Sequence, residues 1–219
     1  MLDVVLPERC AVCDAPGRPL CDPCRRAFAR IVPPVCARCG SPGSWPVRRC
    51  AECAGRRLAF TEARAAIVYD ARARAFVREW KEHGRRRLAC EAAALVAEVV
   101  RRPDADGLVP VPGDPERAWQ RGRVAPHALA VELGRIWHLN AHNLLARSRA
   151  LPRQRGLSLE ERRRNVRGSV VLRGTDVPRA ICLVDDVYTS GATAAACAAA
   201  ARRGGARRVT VVTLARAVR

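Results

Sequence analysis

The spacing of hydrophobic positions changes near residue 60. Before that point large apolar residues are few, whereas after it short apolar runs alternate with stretches in which apolar residues recur every three or four positions. Short apolar runs are typical of buried strands, and the wider spacing is typical of helices with one buried face. The alternation of strands and helices predicts an α/β fold with a mostly parallel sheet.

Individual elements follow from the same pattern. Strands are predicted at residues 65–69, 108–111, 170–172, 181–184 and 209–214. Helices are indicated by two apolar stripes, one of Leu88, Ala92, Leu95, Val96 and Val99, the other of Leu129, Leu133, Ile136 and Trp137. A third helix, from about residue 191 to 203, separates the last two strands and stops at Gly204 and Gly205. This βαβ unit predicts a ligand site beyond the carboxyl ends of the strands.

The most informative segment is ICLVDDVYTSGAT, at the end of the strand 181–184. Asp185 and Asp186 follow the apolar run directly, and carboxylates accept hydrogen bonds from vicinal hydroxyls or bind a divalent cation. Hydroxyl side chains then surround a glycine, in the order Thr189, Ser190, Gly191, Ala192 and Thr193. Such a loop at a helix N-terminus is suited to phosphate. The segment predicts a phosphorylated pentose as ligand; an ordinary capped turn with two surface aspartates is the simpler alternative.

Four CxxC pairs account for eight of the eleven cysteines. The pairs are Cys10/Cys13, Cys21/Cys24, Cys36/Cys39 and Cys50/Cys53. This spacing lets two thiolates reach one tetrahedral ion, and eight thiolates suit two zinc sites. We favour sequential grouping of the pairs; grouping the first pair with the third, disulfides or an iron–sulfur centre are the alternatives. Four thiolates leave no open position for water, which predicts a structural role.

The other three cysteines lie in apolar or alanine-rich patterns. Cys182 falls in a predicted strand, and Cys90 and Cys197 fall in predicted helical stretches. Small apolar packing is the usual role of such residues, because no neighbouring base is present to activate a thiol. We therefore expect all three to be buried and unreactive.

The patterns predict two domains, a double zinc-ribbon module at residues 1–58 and a larger domain at 59–219. No run of eighteen apolar residues occurs, and the first ten residues lack a charged start and a cleavage site. We therefore expect a cytoplasmic protein without a membrane span.

The charge of the chain indicates a further class of ligand. The formal net charge is +19, from 40 basic and 21 acidic residues, and Lys81 is the only lysine. Such a surface should attract polyphosphates or nucleic acid. The simpler alternative is a solvated, arginine-rich surface.

Two further segments are candidates for binding a polyphosphate. The turn at residues 109–113 is rich in proline and glycine, and Arg117 and Arg121 follow it. The stretch 147–167 contains eight arginines together with Gln154 and Asn165. A rigid surface turn and a solvated face are the respective alternatives.

The segment ICLVDDVYTSGAT resembles the 5-phosphoribosyl-1-diphosphate (PRPP) signature of the type I phosphoribosyltransferases. In that family the acidic pair binds the ribose hydroxyls and the following loop holds the 5-phosphate. The resemblance implies that Asp185 and Asp186 are the catalytic, ribose-binding residues. It implies that Val187 and the loop from Thr189 to Thr193 complete the PRPP site. Purine-salvage members usually carry a third Asp at the position of Thr189, so its absence argues against purine salvage.

The whole chain is similar to the ComF family, which comprises predicted phosphoribosyltransferases associated with DNA uptake in natural competence. The resemblance rests on the four CxxC pairs, the IVYD stretch near Tyr69, VPVP, an Arg-Gly step, the arginine-rich series and the PRPP motif. It implies a type I phosphoribosyltransferase fold that binds PRPP with Mg²⁺, behind a small zinc-ribbon module.

Further site residues are implied by this resemblance. Val111, Pro112, Gly113 and Arg121 would face the diphosphate, and a mobile hood loop would carry Arg147, Arg149 and Gln154. The family commonly has Phe-Asn-Gln after the Arg-Gly step, where this chain has Arg-Val-Ala at 123–125. The contacts of those polar residues are therefore not carried over.

Two functions of different classes follow. The first is transfer of the phosphoribosyl group to an unidentified acceptor with release of diphosphate. The second is a non-catalytic adaptor that responds to PRPP and binds single-stranded nucleic acid or a competence helicase. Only nine aromatic residues are present, which counts against a stacking platform for bases.

Overall fold

The computed structural model describes residues 8–113, 125–148 and 169–218. Its strands are β1 (Glu62–Val68), β2 (Gly107–Pro110), β3 (Asn140–Ala141), β4 (Leu145–Arg147), β5 (Val170–Leu172), β6 (Ala180–Tyr188) and β7 (Arg208–Arg216). Its helices are α1 (Asp22–Arg26), α2 (Ala71–Glu82), α3 (Leu88–Val99), α4 (Ala125–Trp137) and α5 (Ala192–Arg203). The predicted α/β class is confirmed. Within the described ranges, none of the helices has the length and apolarity to cross a bilayer.

The main sheet has five strands in the order β1-β7-β6-β2-β3, and all its neighbouring strands are parallel. β6 lies at the centre, with β7 and β1 on one side and β2 and β3 on the other. Its continuous apolar run reflects burial on both faces, as expected for a parallel sheet. β5 forms where predicted but pairs with β4 in a separate antiparallel ribbon.

Helices and zinc-binding segments cover both faces of the sheet. One face packs against α2, α3 and α4, and its hydrophobic cluster also contains Cys10, Leu20 and Phe28 from the N-terminal segment. The other face packs against α5, and its cluster contains Cys36, Cys39 and Cys53. Alternate residues of β6 join the two clusters, since successive side chains of a strand point to opposite faces.

The helix α2 was not predicted from the sequence. Asp70 caps it by accepting a hydrogen bond from the Ala73 N–H at 2.9 Å. A buried stripe of Ala73, Phe76, Val77 and Trp80 fixes its rotation against the sheet. The charged face that remains therefore points away from the core.

Two predictions of burial are wrong. Cys90 is exposed, because it lies on the side of α3 opposite the buried stripe that contains Leu88 and Leu95. Ile136 keeps 44% of its surface exposed, and Ala130 takes part in the buried stripe of α4 instead. Cys182 and Cys197 are buried as expected, and burial raises the pKa of each thiol to about 12. These two thiols are unreactive packing groups.

Candidate functional site

The eight N-terminal cysteines form two clusters. Zinc site 1 consists of Cys10, Cys13, Cys21 and Cys24, and zinc site 2 consists of Cys36, Cys39, Cys50 and Cys53. Within each cluster all four Sγ atoms lie within 4.8 Å of one another, and the closest cross-pair distances are 3.7 Å in site 1 and 3.4 Å in site 2. Thiolates about 2.3 Å from a tetrahedral zinc are separated by about 3.8 Å. The geometry fits one structural zinc ion in each site.

The predicted sequential grouping of the CxxC pairs is confirmed, and the cross-braced alternative is wrong. All of these cysteines are free thiols in the structure, so the disulfide alternative is also wrong. In site 2, the Cys50 N–H donates to the Cys36 Sγ at 3.3 Å, an arrangement that stabilises a thiolate. Gly40 adopts a φ of +70° beside this site, and a Cβ there would lie 2.4 Å from the Ala63 carbonyl oxygen of β1. Only glycine permits that contact.

Each zinc site is attached to a different face of the sheet. Beside site 1, Arg25 forms ion pairs of 3.1 Å with Glu91 and Glu98 of α3. Phe28 packs edge-on against Phe76 of α2, with ring centroids 5.9 Å apart. Site 1 is therefore anchored to the layer of helices that contains α2 and α3.

Zinc site 2 is attached to the carboxyl edge of the sheet through Arg216, the last residue of β7. This side chain is only 1% exposed. It donates hydrogen bonds to the Cys39 carbonyl oxygen at 2.6 Å and to the Glu52 Oε2 at 2.5 Å. Its guanidinium carbon also lies 4.5 Å from the centre of the Tyr188 ring at the end of β6. The buried cation thus has an anionic partner and an aromatic face.

Asp185 and Asp186 lie at this same edge, directly after the last residue of β6 that pairs with β2. Pairing between β2 and β6 ends at Pro110 and Val184, so the turn at 111–113 runs beside the two aspartates. The Val111 N–H donates to the Val184 carbonyl oxygen at 2.9 Å. The Asp-Asp pair and the predicted diphosphate turn are therefore neighbours.

The predicted hood residue Arg147 ends β4 and reaches the same turn, where its Nε donates to the Pro112 carbonyl oxygen at 3.0 Å. Three other predicted site residues, Arg121, Arg149 and Gln154, lie outside the described residues. Among the described ones, Val111, Pro112, Gly113 and Arg147 gather at the edge that carries the aspartates.

The two aspartates differ in their surroundings. Asp186 is 4% exposed, and its Oδ2 forms an ion pair with Lys81 of α2. Asp185 is a half-buried residue with a desolvated carboxyl group, which raises its pKa from 3.8 to about 6 despite the nearby charges of Lys81 and Arg147. The backbone N–H groups of Asp186 and Val187 donate to Asp185 Oδ1 and Asp186 Oδ1, at 2.9 and 2.8 Å. Two carboxylates with different surroundings are thus fixed side by side.

The loop after β6 leads directly into α5. Gly191 adopts a φ of +69° at the N-cap, and a Cβ there would lie 2.2 Å from the Tyr188 Oη. Gly191 itself has no side-chain acceptor, and the Ala192 N–H donates instead to the Ser190 Oγ at 3.3 Å, which leaves the next N–H groups of the first turn of α5 without a cap from the N-cap residue. Open N–H groups at a helix N-terminus favour an anion.

Zinc site 2 also contacts this loop. Arg56 follows the last zinc-binding cysteine and donates through Nη2 to the Ser190 carbonyl oxygen. Its Nη1 donates to the Glu52 carbonyl oxygen at 3.3 Å. A guanidinium from the zinc-binding segment therefore lies against the candidate phosphate loop.

The sequence did not identify Lys81, Arg56 or Arg216 as part of this site. Each of these residues contacts the site from a segment that is distant along the chain, so no local sequence motif indicates its role. Lys81 alone carried a signal, as the single lysine in an arginine-rich chain.

Comparisons with known proteins agree with this description. Residues 1–56 match the double zinc ribbon domain family. The chain is 26% identical to Competence protein F of Haemophilus influenzae over 209 residues, which cover 90% of each chain. It is 29% identical to DNA utilization protein YhgH of Salmonella typhi over 210 residues, which cover 91% of each.

The chain is therefore an α/β protein with a double zinc ribbon at its N-terminus. The similarity to the two relatives covers both the zinc-ribbon segment and the α/β part of the chain. These relatives support the resemblance to the ComF family that the motifs implied.

Paired cysteine substitutions test the zinc grouping. We expect about two zinc ions per chain in the unaltered protein, measured by elemental mass spectrometry. Cys10→Ser with Cys21→Ser removes ligands from one site only, so about one zinc should remain. The matched variant Cys10→Ser with Cys36→Ser disables both sites and should retain almost none. A cross-braced protein would give the opposite result for the two variants.

The desolvated Asp185 predicts a pH-dependent stability. Because folding raises its pKa to about 6, the native state favours the protonated form. The associated stability is complete below about pH 4 and is lost as the pH rises through about 6, a difference on the order of 1–3 kcal/mol. Asp185→Asn keeps the Oδ1 acceptor but cannot ionise, so the variant does not lose this stability as the pH rises. It should therefore raise the Tm at about pH 8 relative to the unaltered protein.

The increase in Tm caused by Asp185→Asn should be smaller at about pH 4.5, where the Asp185 carboxyl of the unaltered protein is largely neutral. Thermal unfolding without added divalent cations measures both values. Asp176→Asn, at an exposed position, serves as the control. An equal change in Tm at both pH values would contradict the prediction.

Proposed function

We propose that this protein binds PRPP and transfers its phosphoribosyl group to an acceptor, releasing diphosphate. The observation that carries the proposal is the geometry at the end of β6. Two adjacent, fixed carboxylates are followed by a glycine-capped helix start, and the turn 111–113 runs beside them. This arrangement offers separate binding groups for a ribose, a phosphate and a diphosphate.

Each part of PRPP has a partner in this arrangement. Asp185 and Asp186 accept hydrogen bonds from the ribose hydroxyls. The 5-phosphate binds Val187 and the loop Thr189, Ser190, Gly191, Ala192 and Thr193, where the open N–H groups and the positive end of α5 favour an anion. The diphosphate lies against Val111, Pro112 and Gly113 with Arg147, and Arg121, Arg149 and Gln154 complete the enclosure.

The carboxylate pair also fits Mg²⁺, which prefers oxygen ligands and is commonly held by one or two carboxylates together with substrate phosphates. Asp185 or Asp186 would share it with the diphosphate and ribose oxygens. There it would neutralise charge that develops on the leaving group.

The reaction is a substitution at ribose C1. A lone pair of the acceptor forms a bond to C1, the bond from C1 to the diphosphate oxygen breaks, and diphosphate leaves with that electron pair. The acceptor loses its proton to solvent. Because the transition state carries positive charge on the ribose, the main tasks of the protein are positioning and charge stabilisation. Arg147, held by the Pro112 carbonyl oxygen, supplies fixed positive charge beside the leaving group.

The relatives named as a competence protein and a DNA utilization protein support a role in DNA uptake or use. We extend that role to this chain as part of the proposal. The zinc-binding thiolates require a reducing compartment, which supports a cytoplasmic location.

A non-catalytic adaptor is the second candidate, and the net charge of +19 favours it. In that case PRPP acts as a signal, and the basic surface binds single-stranded nucleic acid or a helicase. Nucleic-acid affinity should then fall steeply with salt concentration.

Thermal shift measurements test the PRPP site. PRPP with Mg²⁺ at about 100 times its Kd should stabilise the protein by about 2.7 kcal/mol. Asp185→Asn with Asp186→Asn removes the ribose-binding carboxylates and should abolish the increase in Tm. Circular dichroism checks that the variant is folded, and Asp176→Asn is the exposed control. An undiminished shift in the double variant would refute the site.

Diphosphate release separates the two candidates. Incubation with PRPP, Mg²⁺ and a panel of nitrogenous bases should release diphosphate with at least one acceptor. Tight PRPP binding without release for any acceptor would favour the adaptor.

Arg56 should link zinc site 2 to the affinity for PRPP. Arg56→Ala removes the charged donor at Ser190, so PRPP affinity should fall by roughly 10- to 150-fold, as expected for one charge-assisted hydrogen bond. Arg57→Ala is the matched control, because Arg57 is the exposed neighbouring residue. Calorimetric titration measures both variants. Equal affinities for the two would show that the contact at Ser190 does not support the phosphate loop.

A further inference from the structure

A cavity of about 420 Å³ opens beside the aspartates, on the α2 side of β6. Its walls come from the segment after β1, from α2 and from the end of β6. The lining includes Tyr69, Arg74, Arg78, Lys81, Asp186 and Thr189. The cavity shares Asp186 and Thr189 with the proposed PRPP site, so a ligand bound there lies next to the ribose.

The charge of this cavity comes mainly from α2. Arg74, Arg78 and Lys81 are separated by four and three residues, which places them on one side of a helix. The buried stripe of α2 fixes its rotation, so these cations stay at the cavity. Glu82 and Asp186 are the acidic residues in the lining, and Asp186 is already paired with Lys81. The three cations of the lining outnumber its two carboxylates, so the cavity favours an anionic ligand.

The cavity also has a flat, apolar part. Tyr69 lies at its edge with the Arg74 guanidinium carbon 5.9 Å from the ring centre. Val77 and Val187 line the wall. An aromatic ring and aliphatic walls beside cations suit a small planar molecule that carries a negative charge.

The sheet order places the cavity opposite the diphosphate turn. β7 and β1 lie on one side of β6, and the cavity is built at the end of β1. β2 lies on the other side, and the turn 111–113 follows it. Substitution at ribose C1 brings the acceptor in from the side opposite the leaving diphosphate. The cavity therefore lies on the side from which an acceptor would approach ribose C1.

Lys81 connects the cavity to the ribose site. Its ammonium is paired with Asp186, the residue that binds ribose in the proposed function. When Asp186 turns to ribose hydroxyls or to a cation, the ammonium loses part of its neutralising charge. An anionic group in the cavity restores it, so bound sugar phosphate should strengthen binding of an anionic acceptor.

We propose that this cavity is the acceptor subsite and selects a small planar acceptor that carries a carboxylate or phosphate group. The proposal rests on the proposed function. In the reaction, the acceptor nucleophile forms the bond to C1 while its anionic group is held by Arg74, Arg78 and Lys81.

Charge-matched probe pairs test the selection. The pairs are nicotinate with nicotinamide and orotate with uracil for a carboxylate, and phenyl phosphate with phenol for a phosphate. Calorimetric titration is carried out with saturating ribose 5-phosphate and Mg²⁺, which fill the sugar site without a leaving group. We expect the anionic member of at least one pair to bind about tenfold tighter or more. The pair that responds identifies the anionic group.

Arg74→Gln with Arg78→Gln should abolish this preference while PRPP affinity stays within about twofold. The matched control, Arg72→Gln with Arg101→Gln, removes two exposed arginines that do not line the cavity and should keep the preference. Equal binding within every pair, or binding of no charged probe, overturns the proposal. It is also overturned if the cavity variant loses PRPP and anionic probe affinity equally. Failure of the unaltered protein to bind PRPP would instead refute the proposed function itself.

Discussion

The buried guanidinium of Arg216 joins zinc site 2 to the carboxyl edge of the sheet. Removing a cation from water costs several kcal/mol unless partners replace the lost hydration. Here the partners are the Cys39 carbonyl oxygen, the Glu52 carboxylate and the Tyr188 ring. Two of these belong to the zinc-binding segment and the third ends β6. The charge can therefore be buried only when zinc site 2 and the carboxyl edge of the sheet are assembled together, so the metal site supports the candidate ligand site.

The two zinc sites have different tasks because they lie on different faces of the sheet. Site 1 is anchored through Arg25 and Phe28 to the helices α3 and α2. Site 2 shares a hydrophobic cluster with β6 and α5, whose junction is the candidate phosphate loop. The core thus extends across the predicted boundary between residues 58 and 59. Damage to site 1 should act on the layer that holds Lys81, whereas damage to site 2 should act on the loop itself.

Sequence reasoning succeeded where the signal was local. The strand, loop and helix around Gly191 were predicted within a few residues, because an apolar run, a glycine turn and an alanine-rich segment each have one simple interpretation. The favoured sequential grouping of the cysteines is confirmed, although their spacing left a cross-braced grouping open. It failed for α2, whose many arginines obscure the buried stripe, and for Cys90, since an alanine-rich helix does not reveal which side is buried. Arg216 could not be found, because its partner Cys39 lies 177 residues away.

The single lysine has a practical consequence. Apart from the terminal amine, Lys81 carries the only primary amine of the chain, and its side chain is 41% exposed. Arginine keeps its charge at any ordinary pH and does not react with acylating reagents, so these reagents leave the 39 arginines unmodified. Amine acylation followed by mass spectrometry therefore reports on one position beside Asp186. The composition of the chain has given this site a built-in chemical probe.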